Sequence, residues 1–323
     1  MVTIFGPVPS RRLGWSLGIN SFPEKICTYS CPYCQVGITR KYDTTRRSYA
    51  EPAVVAAAVA EKAATVREHG GTIDVVSFVP DGEPTLDANL GKAIIAVRAL
   101  GFPVAVITNG SLMNLADVRA DLMQADIVSI KIDSLLEEVW DHINAPHPSL
   151  DYTSILRGIT IFSQTFKGKL LTETMLVGGI NDSDTSLIAT ARFIARLSPH
   201  RAYVLVPTRP PADLTITSPS PERLAAAWHI YSSTLGASRV EMLTGHEGNA
   251  FSATGDARTD ILAITAVHPL RTENIEQILA AAGSSWDIVD ALKAEGLISE
   301  VLFEGNRFFV RTIHHHTIEK QKE

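Results

Sequence analysis

Cysteine is nearly absent: the chain has three in 323 residues, and none lies outside positions 27–34. So few thiols exclude a disulfide scaffold, which a chain of this length with 45% hydrophobic residues does not need to form a core. Positive charge is also short, with 29 Lys and Arg against 35 Asp and Glu and a net charge of −6. That balance argues against indiscriminate nucleic-acid binding, which needs many cations to displace phosphate counterions. No apolar run reaches bilayer length, because the Ala/Val-rich stretch beginning at Ala53 meets Glu61 and Lys62. The opening Met1-Val2-Thr3-Ile4-Phe5-Gly6-Pro7 has none of the parts of a secretory leader. A cytoplasmic protein with no membrane partner is expected, in a compartment where exposed thiols persist. No complete Walker A, Gly-x-Gly-x-x-Gly or His-Glu-x-x-His pattern occurs.

What is present is one dense stretch, Cys27-Thr28-Tyr29-Ser30-Cys31-Pro32-Tyr33-Cys34. Three thiols on so short a segment can converge on one inorganic centre. Scattered core cysteines fit this clustering poorly. A closed zinc site wants a fourth ligand at short spacing, and the nearest histidine on the C-terminal side is His69, inside a helical pattern. An iron–sulfur cube usually takes four thiolates, so three would leave one iron open to an outside ligand. Arg11-Arg12, Arg40-Lys41 and Arg46-Arg47 flank the stretch. A solvated surface is the expectation for Arg46 and Arg47, the alternative being a cationic rim that steers an anionic substrate.

Beyond it, apolar runs of strand length alternate with helical patterns. The strands are expected at residues 13–22, 73–79, 104–108, 127–132, 170–177 and 202–207, with helices between them; after the strand at 127–132 an irregular stretch holding Pro146 and Pro148 is expected before the helix over 152–166. Strands apolar on both faces and separated by helices imply a parallel sheet with right-handed crossovers. About six such units fit an open partial α/β barrel, a (β/α)6 relative of the eight-unit TIM barrel, with its site at the carboxyl ends of the strands. The expected division is a barrel over 1–243, a linker over 244–258, a small α+β domain over 259–313 and a tail over 314–323.

Cys27-x-x-x-Cys31-x-x-Cys34, with aromatic Tyr33 before the last cysteine, resembles the motif of the radical S-adenosylmethionine (SAM) superfamily. The run Gly6-Pro7-Val8-Pro9-Ser10-Arg11-Arg12-Leu13-Gly14 is similar to the opening of one largely uncharacterised group of that superfamily, related to the wybutosine-synthesising tRNA enzymes. The resemblance implies a 4Fe–4S cluster held by Cys27, Cys31 and Cys34, with SAM chelated to the free iron. One low-potential electron would then release methionine and a 5′-deoxyadenosyl radical. It further implies an electron donor such as flavodoxin or ferredoxin.

Later motifs follow the family's order. Pro80-Asp81-Gly82-Glu83-Pro84 resembles the Gly-Gly-Glu-type element that binds the SAM amino group, with Asp81 where the first glycine often stands. Read from the residues alone, Gly82 permits close backbone approach and Glu83 offers an acceptor. Thr108-Asn109-Gly110 resembles the family's element after the next strand, near the SAM-binding face. Ser129, Lys131 and Asp133 alternate on one face of a strand, where Lys131 and Asp133 either neutralise each other or bind the ribose or carboxylate of SAM. Val177, leading into Gly178-Gly179-Ile180-Asn181-Asp182, resembles the loop that receives the adenine ring. Glu173 reads equally as a substrate contact or a structural ion pair, and Arg209 is a candidate at the barrel mouth. His246 and Glu247 are candidates for proton exchange if their polar link folds back, and otherwise belong to a linker.

The last segment changes character, with three helical patterns and two short β-like runs that resemble a winged helix. Its third helix, around Asp287 and Asp290, is acidic, so protein interaction, substrate docking or dimerisation is expected rather than phosphate contact. His314-His315-His316 reads as a frayed tail. With no cysteine there, an all-cysteine auxiliary cluster is excluded, which leaves hydrogen abstraction, rearrangement or carbon insertion on a small molecule, peptide or RNA. The rival readings are a tRNA-base-modifying enzyme and an iron–sulfur transcriptional sensor.

Overall fold

Residues 2–39, 41–244, 255–265 and 269–312 are described by the structure, a computed structural model. The N-terminal hairpin comprises β1 (Thr3–Ser10) and β2 (Gly14–Asn20), and the cysteine loop starts in a short pair, β3 (Ile26–Cys27) and β4 (Lys41–Tyr42). Then follow α1 (Pro52–Glu68), β5 (Val75–Phe78), α2 (Leu90–Arg98), β6 (Val104–Thr108), α3 (Ala116–Leu122) and β7 (Ile127–Lys131). The chain continues through α4 (Glu137–Asn144), α5 (Tyr152–Thr165), β8 (Lys169–Met175), α6 (Asp184–Leu197), β9 (Arg201–Leu205), α7 (Pro221–Leu235) and β10 (Val240–Leu243). Helix starts follow local chemistry. Asp151, Ser183 and Ser220 each accept a backbone N–H from three residues on, and Pro occupies the first turn of α1 and α7, where a missing N–H costs nothing.

The main sheet has eight strands in the order β1-β2-β5-β6-β7-β8-β9-β10. All neighbours from β2 to β10 are parallel, and β1 is antiparallel to β2. Among the described residues β1 and β10 have no strand on their outer edges, so the barrel is open as expected. It contains the six strand–helix units expected, from β2 to α7, with one further strand at each edge. Two strands were not foreseen: β1, whose Gly6, Pro7 and Pro9 read as loop, and β10, only four residues long. Proline is tolerated in β1 because it is an edge strand, and its register slips between Phe5 and Val8. A helix, α4, also stands in a stretch expected to be irregular; it opens on Glu137 and Glu138, which favour a helix N-terminus, and ends at Ala145 in the left-handed region at φ 40°.

Apolar alternation puts one face of the sheet against the helices. Leu17, Val76, Val106, Val128, Leu170 and Val204 pack with Val59, Ile94, Leu122, Ile159, Ile194 and Tyr231 in one continuous core. The other face is polar: Ser16 and Ser77 share a hydrogen bond at 2.8 Å, and Ser129 donates to Glu173 at 2.6 Å. Arg12, from the β1–β2 turn, enters from the amino ends of the strands and pairs with Glu173. Glu173 is therefore a structural ion-pair partner; burial alone would raise its carboxyl, but Arg12, Lys131 and Ser129 hold it below the ordinary range.

The C-terminal segment forms α8 (Ala257–Thr265), β11 (Leu270–Arg271), α9 (Thr272–Ala281), α10 (Asp287–Ala294), β12 (Ile298–Phe303) and β13 (Asn306–Arg311). Its antiparallel sheet, ordered β11-β13-β12, has a separate apolar core, which Val8 of β1 joins. Lys62 of α1 pairs with Asp260 at 3.5 Å, and Ser218, beyond β9, donates to Glu304 at 3.3 Å. Most of the expected linker, including His246 and Glu247, lies outside the described residues, as does the tail with His314, His315 and His316. No described helix is long and apolar enough to cross a membrane.

Arg12→Met removes the direct ion-pair partner of buried Glu173, leaving it Ser129 and the more distant Lys131, and should cost about 3 kcal/mol of unfolding free energy. Because the folded Glu173 carboxyl sits below its ordinary value of 4.5, the contribution is complete above that value and is lost as pH falls through the folded one. Denaturant titrations of wild type and Glu173→Gln should thus converge as pH falls below 4.5; curves that stay parallel down to the acid limit of folding would refute the role.

Candidate cofactor site

The cysteine loop lies across the carboxyl ends of the central strands, stitched to them by backbone. Ile26 N–H donates to the Asp81 carbonyl at 2.9 Å, and Glu83 N–H donates to the Ile26 carbonyl at 3.0 Å. Gly82 sits at φ 138°, and a Cβ there would lie 1.7 Å from the Ile26 carbonyl oxygen, so only glycine permits the bridge. Farther along the loop, Ser30 N–H reaches the Asn144 and Ala145 carbonyls at 3.1 and 3.0 Å, and Asp213 N–H reaches Pro32 at 2.9 Å. Trp140 of α4 donates to Tyr29 at 3.2 Å and packs on Tyr152. The unforeseen helix α4 is therefore the clamp on the loop.

All three cysteines are free thiols, and each faces a nitrogen donor. Asn109 Nδ2 lies 3.6 Å from Cys27 Sγ, Asn144 Nδ2 3.5 Å from Cys31 Sγ, and Lys25 Nζ 3.1 Å from Cys34 Sγ. Burial pushes the Cys27 thiol up to about 12, aided by Cys31 and Glu83; burial and Cys34 push Cys31 up to about 11. Among the described residues no three Cys, His, Asp or Glu side chains gather about a single metal ion. Three thiols with N–H donors and no fourth cysteine fit a cluster with one open iron.

Glu83 is 1% exposed and ties the ends of β5 and β6 together. Its Oε1 accepts from Thr85 N–H at 3.0 Å, the Thr85 hydroxyl at 2.6 Å and the Thr108 hydroxyl at 2.5 Å. Among the described residues its Oε2 accepts only Asn109 N–H, at 2.7 Å, which leaves an acceptor position for an ammonium. Burial outweighs these donors and raises its carboxyl. Asp81 is held between Asn20, Lys25 and Arg311, with burial pushing it up to about 6. Asn109 also donates to Thr28 at 2.8 Å, joining the end of β6 to the cysteine loop.

Asp133 is turned away from the mouth. It accepts from the Tyr33 hydroxyl, from Asn144 Nδ2 at 2.8 Å and from Met175 N–H at 2.8 Å. Lys131 lies 3.7 Å from Asp133 and over the Tyr33 ring at 4.9 Å, and remains partly exposed. Val177 donates its N–H to Asn181 Oδ1 at 2.8 Å and contributes to a cavity of about 470 Å³ with Ser30, Pro32, His142, Ile180 and Thr217. Arg209 donates to Gln35 at 2.8 Å, which places it beside Cys34.

Arg46 departs from expectation. Instead of a solvated surface, it pairs with Asp117 and Asp121 of α3 and donates to the Thr85 and Asp87 carbonyls at 2.9 and 3.1 Å. Only Arg47, paired with Asp43, is largely exposed. Residues that escaped sequence reading are Lys25, Thr28, Asn144 and Asn181. The last ties the Asp133 and Met175 carbonyls together, both at 2.8 Å. Lys25 had a signal, a charge two residues from the first cysteine; the amides had none.

Residues 23–194 match the family model described as the radical SAM superfamily. A UPF0026 protein of Methanocaldococcus jannaschii is 41% identical over 313 residues, 97% of each chain. Among solved structures, one of TYW1 with a lysine-pyruvate adduct bound is similar at TM-score 0.53 and 18% identity, covering 68% of this chain and 73% of that one. Streptococcus suis SuiB bound to precursor peptide SuiA is similar at TM-score 0.51 and 15% identity, covering 70% of this chain and 48% of that one. Together with the three-cysteine loop over the strand ends, the family match and the end-to-end relative establish that this chain belongs to the radical SAM superfamily.

Proposed function

We propose that Cys27, Cys31 and Cys34 hold the 4Fe–4S cluster with which this radical SAM enzyme cleaves SAM, and that the radical acts on a substrate at the barrel mouth. The observation that supports it most is the seating of the cysteine loop on the carboxyl ends of β5 and β6, with each of its three free thiols facing a nitrogen donor. Bound together, cluster and SAM supply one electron and a 5′-deoxyadenosyl radical. The protein's share is orientation and exclusion of water. Glu83 Oε2 and the Gly82 loop take the amino group, Lys131 takes the carboxylate, and Asn109 keeps Cys27 beside them. Tyr33, locked by Asp133, braces the loop. The cavity beside Ser30, Val177 and Ile180 takes the adenosine. A flavodoxin- or ferredoxin-like protein is the expected donor.

The C-terminal unit has the helix–strand–helix–helix–strand–strand order of a winged helix, and we assign it to protein contacts rather than DNA. Its α10 carries Asp287 and Asp290, and its Lys293 is tied to Glu300 at 3.1 Å, so little remains for phosphate.

Anaerobic reconstitution with iron, sulfide, dithionite and SAM should yield 5′-deoxyadenosine by mass spectrometry. Cys27→Ala, Cys31→Ala or Cys34→Ala should each lower it at least about tenfold together with iron content; product persisting in any of them would remove that cysteine from the ligand set. Gly82→Ala should lose cluster loading by forcing apart the Ile26 bridge, and loading equal to wild type would contradict the geometry. Lys131→Met should weaken SAM binding about tenfold with iron content unchanged, as expected for one lost hydrogen bond to a charged group; an unaltered dissociation constant in equilibrium dialysis would exclude Lys131.

A further inference from the structure

Lys25 is a lysine where lysines are rarely found, 4% exposed and two residues before the first cysteine. Its Nζ donates to Cys34 Sγ at 3.1 Å and to the Gly37 carbonyl, while its own carbonyl accepts from Lys41 N–H at 3.2 Å. No carboxylate among the described residues forms a salt bridge with it, and Asp81 acts on it only at longer range. A buried ammonium lacking a paired carboxylate is costly, so its partner must be something else of negative charge. The three thiolates of a loaded cluster are that partner. The other two sulfurs face neutral amides, Asn109 at 3.6 Å and Asn144 at 3.5 Å. Lys25 differs in kind from these, because it brings a full charge as well as an N–H.

We propose that Lys25 is a positioning residue acting through Cys34: it pins the cysteine loop to Gly37 and, as a fixed cation against one cluster sulfur, makes the cluster easier to reduce. The proposal rests on Cys34 being a cluster ligand. Reduction adds one negative charge to the cluster, and a cation or N–H donor at a ligating sulfur stabilises that charge more than it stabilises the oxidised form. In a low-dielectric setting a charged donor has a larger effect than a neutral one. The same contact closes the turn in which Cys34 N–H bonds the Cys31 carbonyl and Gly37 N–H bonds the Cys34 carbonyl, each at 3.1 Å.

The test compares full-length wild type with Lys25→Arg, Lys25→Met and Lys25→Gln after anaerobic reconstitution. Iron and sulfide per chain are measured first, and the reduced cluster is then followed by electron paramagnetic resonance during a potentiometric titration without SAM. At the potential that half-reduces wild type, the neutral variants should show a reduced fraction lower by at least about threefold, and Lys25→Arg should remain within about twofold of wild type. Neutral variants that fold but load no iron, beside a loaded Lys25→Arg, would equally support the role. Neutral variants titrating with wild type, or Lys25→Arg displaced as far as they are, would overturn it. Should Lys25→Met fail to fold, Lys25→Gln, which keeps an N–H and loses the charge, carries the comparison. Cys34→Ala separates the two layers: if it loads a four-iron cluster as wild type does, the ligand assignment fails, whatever the lysine variants show.

Discussion

Two backbone hydrogen bonds, from Ile26 to Asp81 and from Glu83 back to Ile26, hold the site together. They make the chain just before the first cysteine an extra partner for the chain just after β5. Once that bridge is closed, the rest of the loop has little freedom: Thr28 meets Asn109 and Ser111, Ser30 meets the end of α4, and Pro32 meets the loop beyond β9. The bridge in turn depends on one glycine, because any side chain at position 82 would occupy the Ile26 carbonyl. A single backbone requirement thus sets where the three sulfurs stand relative to Glu83.

Much of this was legible in the chain. The three clustered cysteines, the alternation of apolar strands with helices and the polar residues after each strand pointed to a parallel barrel with its site at the strand ends. The missed elements share a physical cause. β1 carries prolines and a glycine that locally signal loop, and only its edge position makes them tolerable. β10 is too short for periodicity to register. Helix α4 precedes Pro146 by so little that the stretch read as irregular, yet its amphipathic face, with Trp140 and Ile143 buried, is what grips the cysteine loop. Tertiary roles were harder still. Nothing local distinguishes Arg46, which fastens α3 to the turn after β5, from exposed Arg47 beside it. Asp133, read as facing the cavity, is consumed by Tyr33, Asn144 and Met175. Asn144 and Asn181 are ordinary amides until the fold brings acceptors and donors to them.

The buried charges divide into two kinds. Glu173 with Arg12, and Asp133 with its three donors, are satisfied by the protein itself and fix the barrel's inner wall. Lys25 and the free position on Glu83 are incompletely satisfied by protein carboxylates or donors, and both lie around the cysteine loop. Polar groups left open in a dry setting are costly unless a ligand completes them. Their concentration at one end of the barrel is the expected pattern for a scaffold that is rigid below and receptive above.

The Arg12–Glu173 pair also sets a depth. It spans the polar interior at the level of Tyr203, the residue in register with Glu173 on β9. A buried ion pair at that level closes the interior from the amino-end side, so the space that can receive a molecule lies on the side of the cysteine loop.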